Sequence, residues 1–243
     1  MRGLIFRRRL PPAFGRAPIV VSPAAGLRYF MPRIVNVDPT LLSQAQEFVR
    51  EADVVWDVGA NVGLFSVAAA ALAGPRGAVI SIEPDAWLVQ LLRRTASMQA
   101  GTSARITVLP CGITEGVGLR TFCIPQRARS SNYLVEYGRS QTGGEAERQT
   151  IVTLSLDDLL RWLPPPRIVK VDVEGAEGEV LAGAARLLAD HRPILLLEVG
   201  ELAAEEVTAL LRMRAYRLLN GEHVGPRREP IDRAAWNTIA IPD

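Results

Sequence analysis

Lysine is almost missing from this chain. Lys170 is the single example, and the rest of the 28 Lys+Arg are arginine. A site built on two ammonium groups is therefore excluded, and the arginine excess reads as coding bias without physical meaning. Cysteine is also scarce. Cys111 and Cys123 have neither a metal-ligand spacing nor a disulfide framework, so a reducing compartment is the default. Charge of one sign is lacking as well: the net +2 is too small to imply a nucleic-acid partner. The longest apolar run, Val62 to Ala73, contains Ser66 and is too short to cross a bilayer. Leu4-Ile5-Phe6 is interrupted at once by three arginines, so no secretion signal is read there. The expectation is a cytoplasmic protein without a transmembrane segment.

What is present fits one domain with a full core: 243 residues, 48% hydrophobic and 22% charged. Residues 1–40 read as a partly irregular extension, rich in proline, with a basic stretch over 1–16 (Arg2, Arg7, Arg8, Arg9, Arg16) that resembles a solvated tail. A helical pattern runs from Pro39 to Arg50, and from there the chain alternates. Strands are expected at 54–56, 78–82, 106–109, 168–173 and 193–199. Helices are expected at 62–73, 85–100, 156–163, 176–189 and 203–213. Apolar strands separated by helices argue a doubly wound, mostly parallel α/β sheet covered on both faces. Residues 41–243 form this unit, interrupted at about 114–150 by an inserted hairpin and loop. The last pair, 216–219 and 237–241, reads as antiparallel.

Chemistry concentrates at the strand ends. Asp57-Val58-Gly59-Ala60-Asn61-Val62-Gly63 follows the first core strand and opens a helix, where glycine permits a tight turn beside unpaired helix N–H groups. A pyrophosphate-binding G-x-G-x-x-G would need glycine at Asn61 and Leu64, so a nicotinamide oxidoreductase is disfavoured. The remaining features are an acid before the turn, Asp57, and an acid ending the next strand, Glu83, stiffened by Pro84. That pair suits S-adenosylmethionine, with Asp57 toward its amino group and Glu83 toward its ribose hydroxyls.

With these motifs the sequence resembles the FkbM-type methyltransferases, a branch of the class I S-adenosylmethionine-dependent enzymes. The resemblance rests on DVGANVGLFS (57–66), IEPD (82–85), IVTLSLDDLL (151–160), VKVDVEGAEGEVLAGA (169–184) and LLLEV (195–199), and covers about residues 40–241. It implies a seven-stranded Rossmann-like sheet with one antiparallel strand, and methyl transfer to a hydroxyl of a sugar or natural product. It also implies a cofactor site at Asp57, Gly59, Ala60, Asn61, Gly63, Phe65, Ser66, Glu83, Pro84, Cys111 and Gly112. Gly112 departs from the small residue, such as alanine, expected there, yet still leaves room for adenine.

Period-two alternation along 168–174 places Lys170, Asp172 and Glu174 on one side of a strand. A buried lysine needs a carboxylate partner, so Lys170 is expected to hold the cluster together. Asp172 or Glu174 would then orient and partly deprotonate the acceptor hydroxyl. The competing reading is a structural ion pair at a helix start that includes Glu177. A further alternative is Mg²⁺ held by Asp172, Glu174 and Glu198. His223 is a second candidate base, whereas His191 reads as a loop residue. Arg127 and Arg129, with Ser130, Ser131, Asn132 and Tyr133, are candidate lid contacts to an acceptor bearing an anionic group. A nucleic-acid acceptor is disfavoured, because Asp172-Val173-Glu174-Gly175 is not the amino-base element and the ribose tetrad needs a second lysine. The rival from another class is a catalytically silent S-adenosylmethionine-fold subunit.

Overall fold

The computed structural model describes residues 3–125, 133–134, 145–222 and 228–243. Its centre is a seven-stranded sheet built from β3 (Val54–Val58), β4 (Ala78–Ile82), β5 (Arg105–Leu109), β10 (Ile168–Val171), β11 (Ile194–Glu198), β12 (Tyr216–Asn220) and β13 (Asn237–Pro242). The order is β12-β13-β11-β10-β3-β4-β5, and only β13 runs antiparallel to its neighbours. The expected doubly wound α/β sheet is borne out. Neighbouring residues along each strand serve opposite faces, which is why the strands read as unbroken apolar runs. Val55, Val79, Ile168, Leu196 and Ile239 join one core; Trp56, Ile80, Val169, Leu195 and Ala240 join the other. The first core holds α1 (Pro39–Phe48) and α2 (Leu64–Ala73); the second holds α5 (Glu177–Ala182) and α6 (Ala204–Arg212). From β3 the chain winds outward through α2, β4, α3 (Ala86–Ser97) and β5, then crosses back to β10 on the other side of β3. The strand order therefore reverses between β3 and β10, and open sheets of this kind bind ligands at such a point, beyond the carboxyl ends.

The N-terminal stretch is more ordered than its composition suggests. Phe6–Arg9 (β1) pairs with Pro18–Val21 (β2) as an antiparallel ribbon. Ile19, Val20 and Val21 are buried in the first core, as are Leu10, Phe14, Ala25 and Tyr29. The ribbon lies on α3: the Val20 N–H donates to Thr95 Oγ1 (3.0 Å) and Gln99 Nε2 donates to the Pro18 carbonyl (2.9 Å). Arg7, Arg8 and Arg9 thus sit in a paired strand.

Several boundaries differ from the periodicity reading. The strand expected at 168–173 ends at Val171, and Glu174 (φ +54°) and Gly175 (φ +108°) turn the chain in the left-handed region. The helix expected over 176–189 breaks after Ala182. There Gly183 passes so close to the insertion that a Cβ would stand 2.4 Å from the Thr114 carbonyl oxygen. A single π-type turn, Leu187–His191, replaces its second half. The helix at 156–163 shrinks to α4 (Leu156–Leu159), started by a capping box between Ser155 and Asp158. The inserted hairpin is longer than expected. β7 (Gly118–Pro125) pairs with β9 (Glu145–Leu154), flanked by β6 (Gly112–Ile113) and the short β8 (Tyr133–Leu134), in the order β6-β9-β7-β8. Arg127, Arg129, Ser130, Ser131, Asn132 and His223 lie outside the described residues, as does the Tyr133 side chain.

Candidate active site

Strand register assembles the charged centre. Lys170 on β10 pairs directly with Asp57 on β3, which in turn pairs with Ser81 on β4, all on the α2 face. Lys170 is 4% exposed and Asp57 is fully buried. The ammonium donates to the Gly59 carbonyl (2.8 Å) and to Asp172 Oδ2 (3.1 Å), and lies 3.5 Å from Asp57 Oδ1. That contact matters because Asp57 Oδ1 is buried without a hydrogen bond among the described residues. The other Asp57 oxygen accepts from Ser66 Oγ on α2, which accepts in turn from Ser81 Oγ. Burial opposes the ammonium charge, but Asp172, Asp57 and Glu198 outweigh it and hold Lys170 above the ordinary lysine range. The lysine stays charged and ties β10 to the β3 turn.

Gly59 is required at that turn. Its φ is +74°, and a Cβ would stand 1.8 Å from the Asp172 carbonyl oxygen. Asn61, also left-handed at φ +53°, closes its own loop by accepting from the Val62 N–H. The Asn61 N–H donates to Glu83 Oε2 (2.8 Å), and the Asp85 N–H donates to Glu83 Oε1 (2.9 Å). The end of β4 is thus fixed to the turn after β3. Burial lifts Glu83 to about 7 against the pull of these two N–H groups.

Two cavities open from this centre. The first is a narrow cleft beyond β3 and β4, bounded by Gly59, Glu83, Pro84, Cys111 and Gly112 and walled by Ile82, Ile113, Phe122, Leu134 and Ile151. The inserted sheet supplies Phe122, Leu134 and Ile151 as its apolar roof. Burial pushes the Cys111 thiol up to about 11, so it serves as wall rather than nucleophile. The second is a larger cavity of about 680 Å³ on the α2 side, taking in Ala60, Leu64, Phe65, Lys170, Glu198 and Trp236. Asn61, Asp172 and Glu174 line both, so the cavities meet at these three residues. Of the expected cofactor residues, Asp57, Gly63 and Ser66 line neither cavity: Asp57 and Ser66 lie beneath as the support of Lys170, and Gly63 caps α2.

The carboxylates around the junction have raised proton affinities. Burial, then the Asp172 and Glu177 charges, lifts Glu174 to about 7; burial, then Asp172, lifts Glu198 to about 8. Among the described residues no three His, Cys, Asp or Glu side chains are placed to hold a metal ion. Asp172, Glu174 and Glu198, the carboxylates weighed as ligands for Mg²⁺, all line the larger cavity. The sequence reading missed Arg28, Tyr29, Asp38 and Glu222, all of which line the larger cavity. Their signal was faint: an Arg-Tyr pair and an isolated Asp-Pro in a stretch with no periodicity.

Residues 57–221 match the model of the methyltransferase FkbM domain, more than half of the chain. The chain belongs to the FkbM methyltransferase family. It is 29% identical over 167 residues to hexuronic acid methyltransferase AglP of Haloferax volcanii, which covers 68% of this chain and 64% of that protein. The match thus spans less than two thirds of that relative's length. Among solved structures, the precorrin-6y C5,15-methyltransferase of Geobacter metallireducens GS-15 is similar at TM-score 0.49 and 16% identity, over 85% of this chain and 87% of that one. A methyltransferase FkbM from Methylobacillus flagellatus KT is similar at TM-score 0.47 and 19% identity, over 95% and 58%. The family match takes in the β3 turn, Glu83 and the whole Lys170 cluster. It leaves out residues 1–56, although Arg28, Tyr29 and Asp38 belong to the wall of the larger cavity.

Proposed function

We propose that this chain is an S-adenosylmethionine-dependent O-methyltransferase acting on a hydroxyl of a sugar-like acceptor. The observation that carries the reading is the junction. A mainly apolar cleft with a carboxylate at the end of β4 meets a larger cavity of mixed lining at Asn61, Asp172 and Glu174. The cleft suits an adenosyl group: Ile82, Ile113 and Ile151 would offer apolar contact to a flat ring, and Glu83 retains lone pairs for two ribose hydroxyls. The turn at Gly59 and Asn61 would face the amino-acid portion. When bound, S-adenosylmethionine supplies an electrophilic methyl whose departure leaves a neutral thioether.

The protein's own residues do the rest. Asp172, anchored by Lys170, holds the acceptor hydroxyl at the junction. Glu174, with its affinity for a proton near neutrality, takes the hydroxyl proton as the new O–C bond forms. Much of the acceleration comes from holding oxygen and methyl at attack distance. The resemblance to a hexuronic acid methyltransferase supports a sugar acid as acceptor class. The acidic wall is compatible with one, since Glu198, lifted to about 8, keeps its proton near neutral pH and then donates a hydrogen bond.

Titration calorimetry with S-adenosylhomocysteine tests the reading most directly. Wild-type protein binds it and Glu83→Gln binds about tenfold more weakly, the loss of a charge-assisted pair to ribose. A wild-type sample that takes up none would end the proposal.

A further inference from the structure

The larger cavity has a wall that the family domain does not provide. Residues 25–29 and 37–41 line it, on a segment held at both ends. Upstream, the β1–β2 ribbon is fastened to α3 through Thr95 and Gln99. Downstream, Asp38 caps α1 by accepting from the Leu41 N–H (2.8 Å). Helix α1 is in turn tied to the connection between β12 and β13: Gln44 donates to the Gly221 carbonyl, and Arg228 forms a two-pronged ion pair with Glu47. The segment is therefore a fixed wall.

Within it Tyr29 is conspicuous. It is 8% exposed, it lines the cavity, and its hydroxyl has no hydrogen bond among the described residues. Its oxygen is not among the enclosed side-chain atoms that lack a partner, so it is open to the cavity and free to meet a ligand. Burial holds the phenol above the usual tyrosine range, with Lys170, Asp38, Asp172 and Asp57 the charges that act on it, so it is a neutral donor. Its ring stands on the first core, while its polar end shares the cavity with Lys170, Asp172 and Glu174.

We propose that Tyr29 is an acceptor-binding residue, its phenol donating a hydrogen bond to an oxygen of the sugar whose neighbouring hydroxyl is presented to Asp172 and Glu174. The inference rests on the methyltransferase reading for which hydroxyl reacts. Its own content is that sugar recognition depends on a residue upstream of the family domain.

Tyr29→Phe removes one oxygen and keeps the ring, so the core packing survives. Wild-type protein and Y29F, each loaded with S-adenosylhomocysteine, are titrated with D-glucuronate and with methyl D-glucopyranoside. The expected result is wild-type binding of at least one sugar, about tenfold weaker in Y29F, with nucleoside affinity and thermal unfolding unchanged. Equal sugar affinity in the two proteins overturns the proposal, as does failure of the wild type to bind either sugar. If the wild type binds no S-adenosylhomocysteine, the methyltransferase reading falls instead, and the same sugar titration on unloaded protein decides the role of Tyr29.

Discussion

Replacing Lys170 by methionine tests the charged centre on which both cavities rest. The ammonium lies 3.1 Å from Asp172 and 3.5 Å from Asp57. At an effective dielectric constant of about 20 each contact corresponds to roughly 5 kcal/mol of gross attraction, most of it offset by the cost of burying the charges. The variant loses the attraction and keeps the cost. Asp57 is fully buried, and one of its oxygens has no other partner among the described residues, so nearly all of the penalty falls there; Asp172 is partly exposed and is relieved by water. Breaking a buried pair from one side costs about 3–5 kcal/mol, which for a chain of this size lowers Tm by about 6–20 °C. The assay is thermal and urea unfolding of wild type, K170M and the double variant D57N/K170M. The double variant removes the orphaned charge and should regain more than half of the loss. A K170M protein melting within about 2 °C of wild type would refute the reasoning, as would a double variant no more stable than the single.

Three further outcomes are expected. Glu174→Gln should leave S-adenosylhomocysteine affinity intact while lowering kcat by about 10²–10⁴-fold. In the wild type, kcat should rise with pH through about 7, because the carboxyl must first lose its proton; normal turnover of E174Q would dismiss it as the base. Glu198 has a folded value, about 8, above its ordinary one, so its contribution to stability is present below pH 4.5 and is lost as pH rises through 8. Glu198→Gln should therefore gain stability over wild type between those limits, the gain growing with pH, as read by urea unfolding at pH 5 and pH 8. Gly59→Ala places a methyl against the Asp172 carbonyl in a left-handed turn, and circular dichroism melts should show either no folded protein or a loss of several kcal/mol.

The sheet was legible because β3, β4, β10 and β11 are short apolar runs flanked by glycine, proline or acids, and buried parallel strands have that signature. The pairing of Lys170 with a carboxylate was legible too, since a lone buried ammonium has few other options. Its partner across the sheet, Asp57, was not, because register between strands far apart in sequence leaves no periodic trace; the sequence reading gave Asp57 to the cofactor instead. Glu174 lies beyond a strand that stops at Val171, and a left-handed turn at Glu174 and Gly175 redirects it, which strand alternation does not foresee. In the N-terminal stretch, prolines and arginines obscured Pro18-Ile19-Val20-Val21, a β-branched run that proved to be a buried strand. In an extension without periodicity, Tyr29 and Asp38 carry no signal of their own.

The solitary lysine has a practical corollary. An endoprotease that cuts only after lysine has one target in this polypeptide, at the inner end of β10, shielded on both sides by neighbouring strands. Cleavage there requires the centre of the sheet to come apart, and it yields two pieces, 1–170 and 171–243. Brief digestion in graded denaturant therefore reads the opening of the sheet centre as a single band splitting into two, with no label attached.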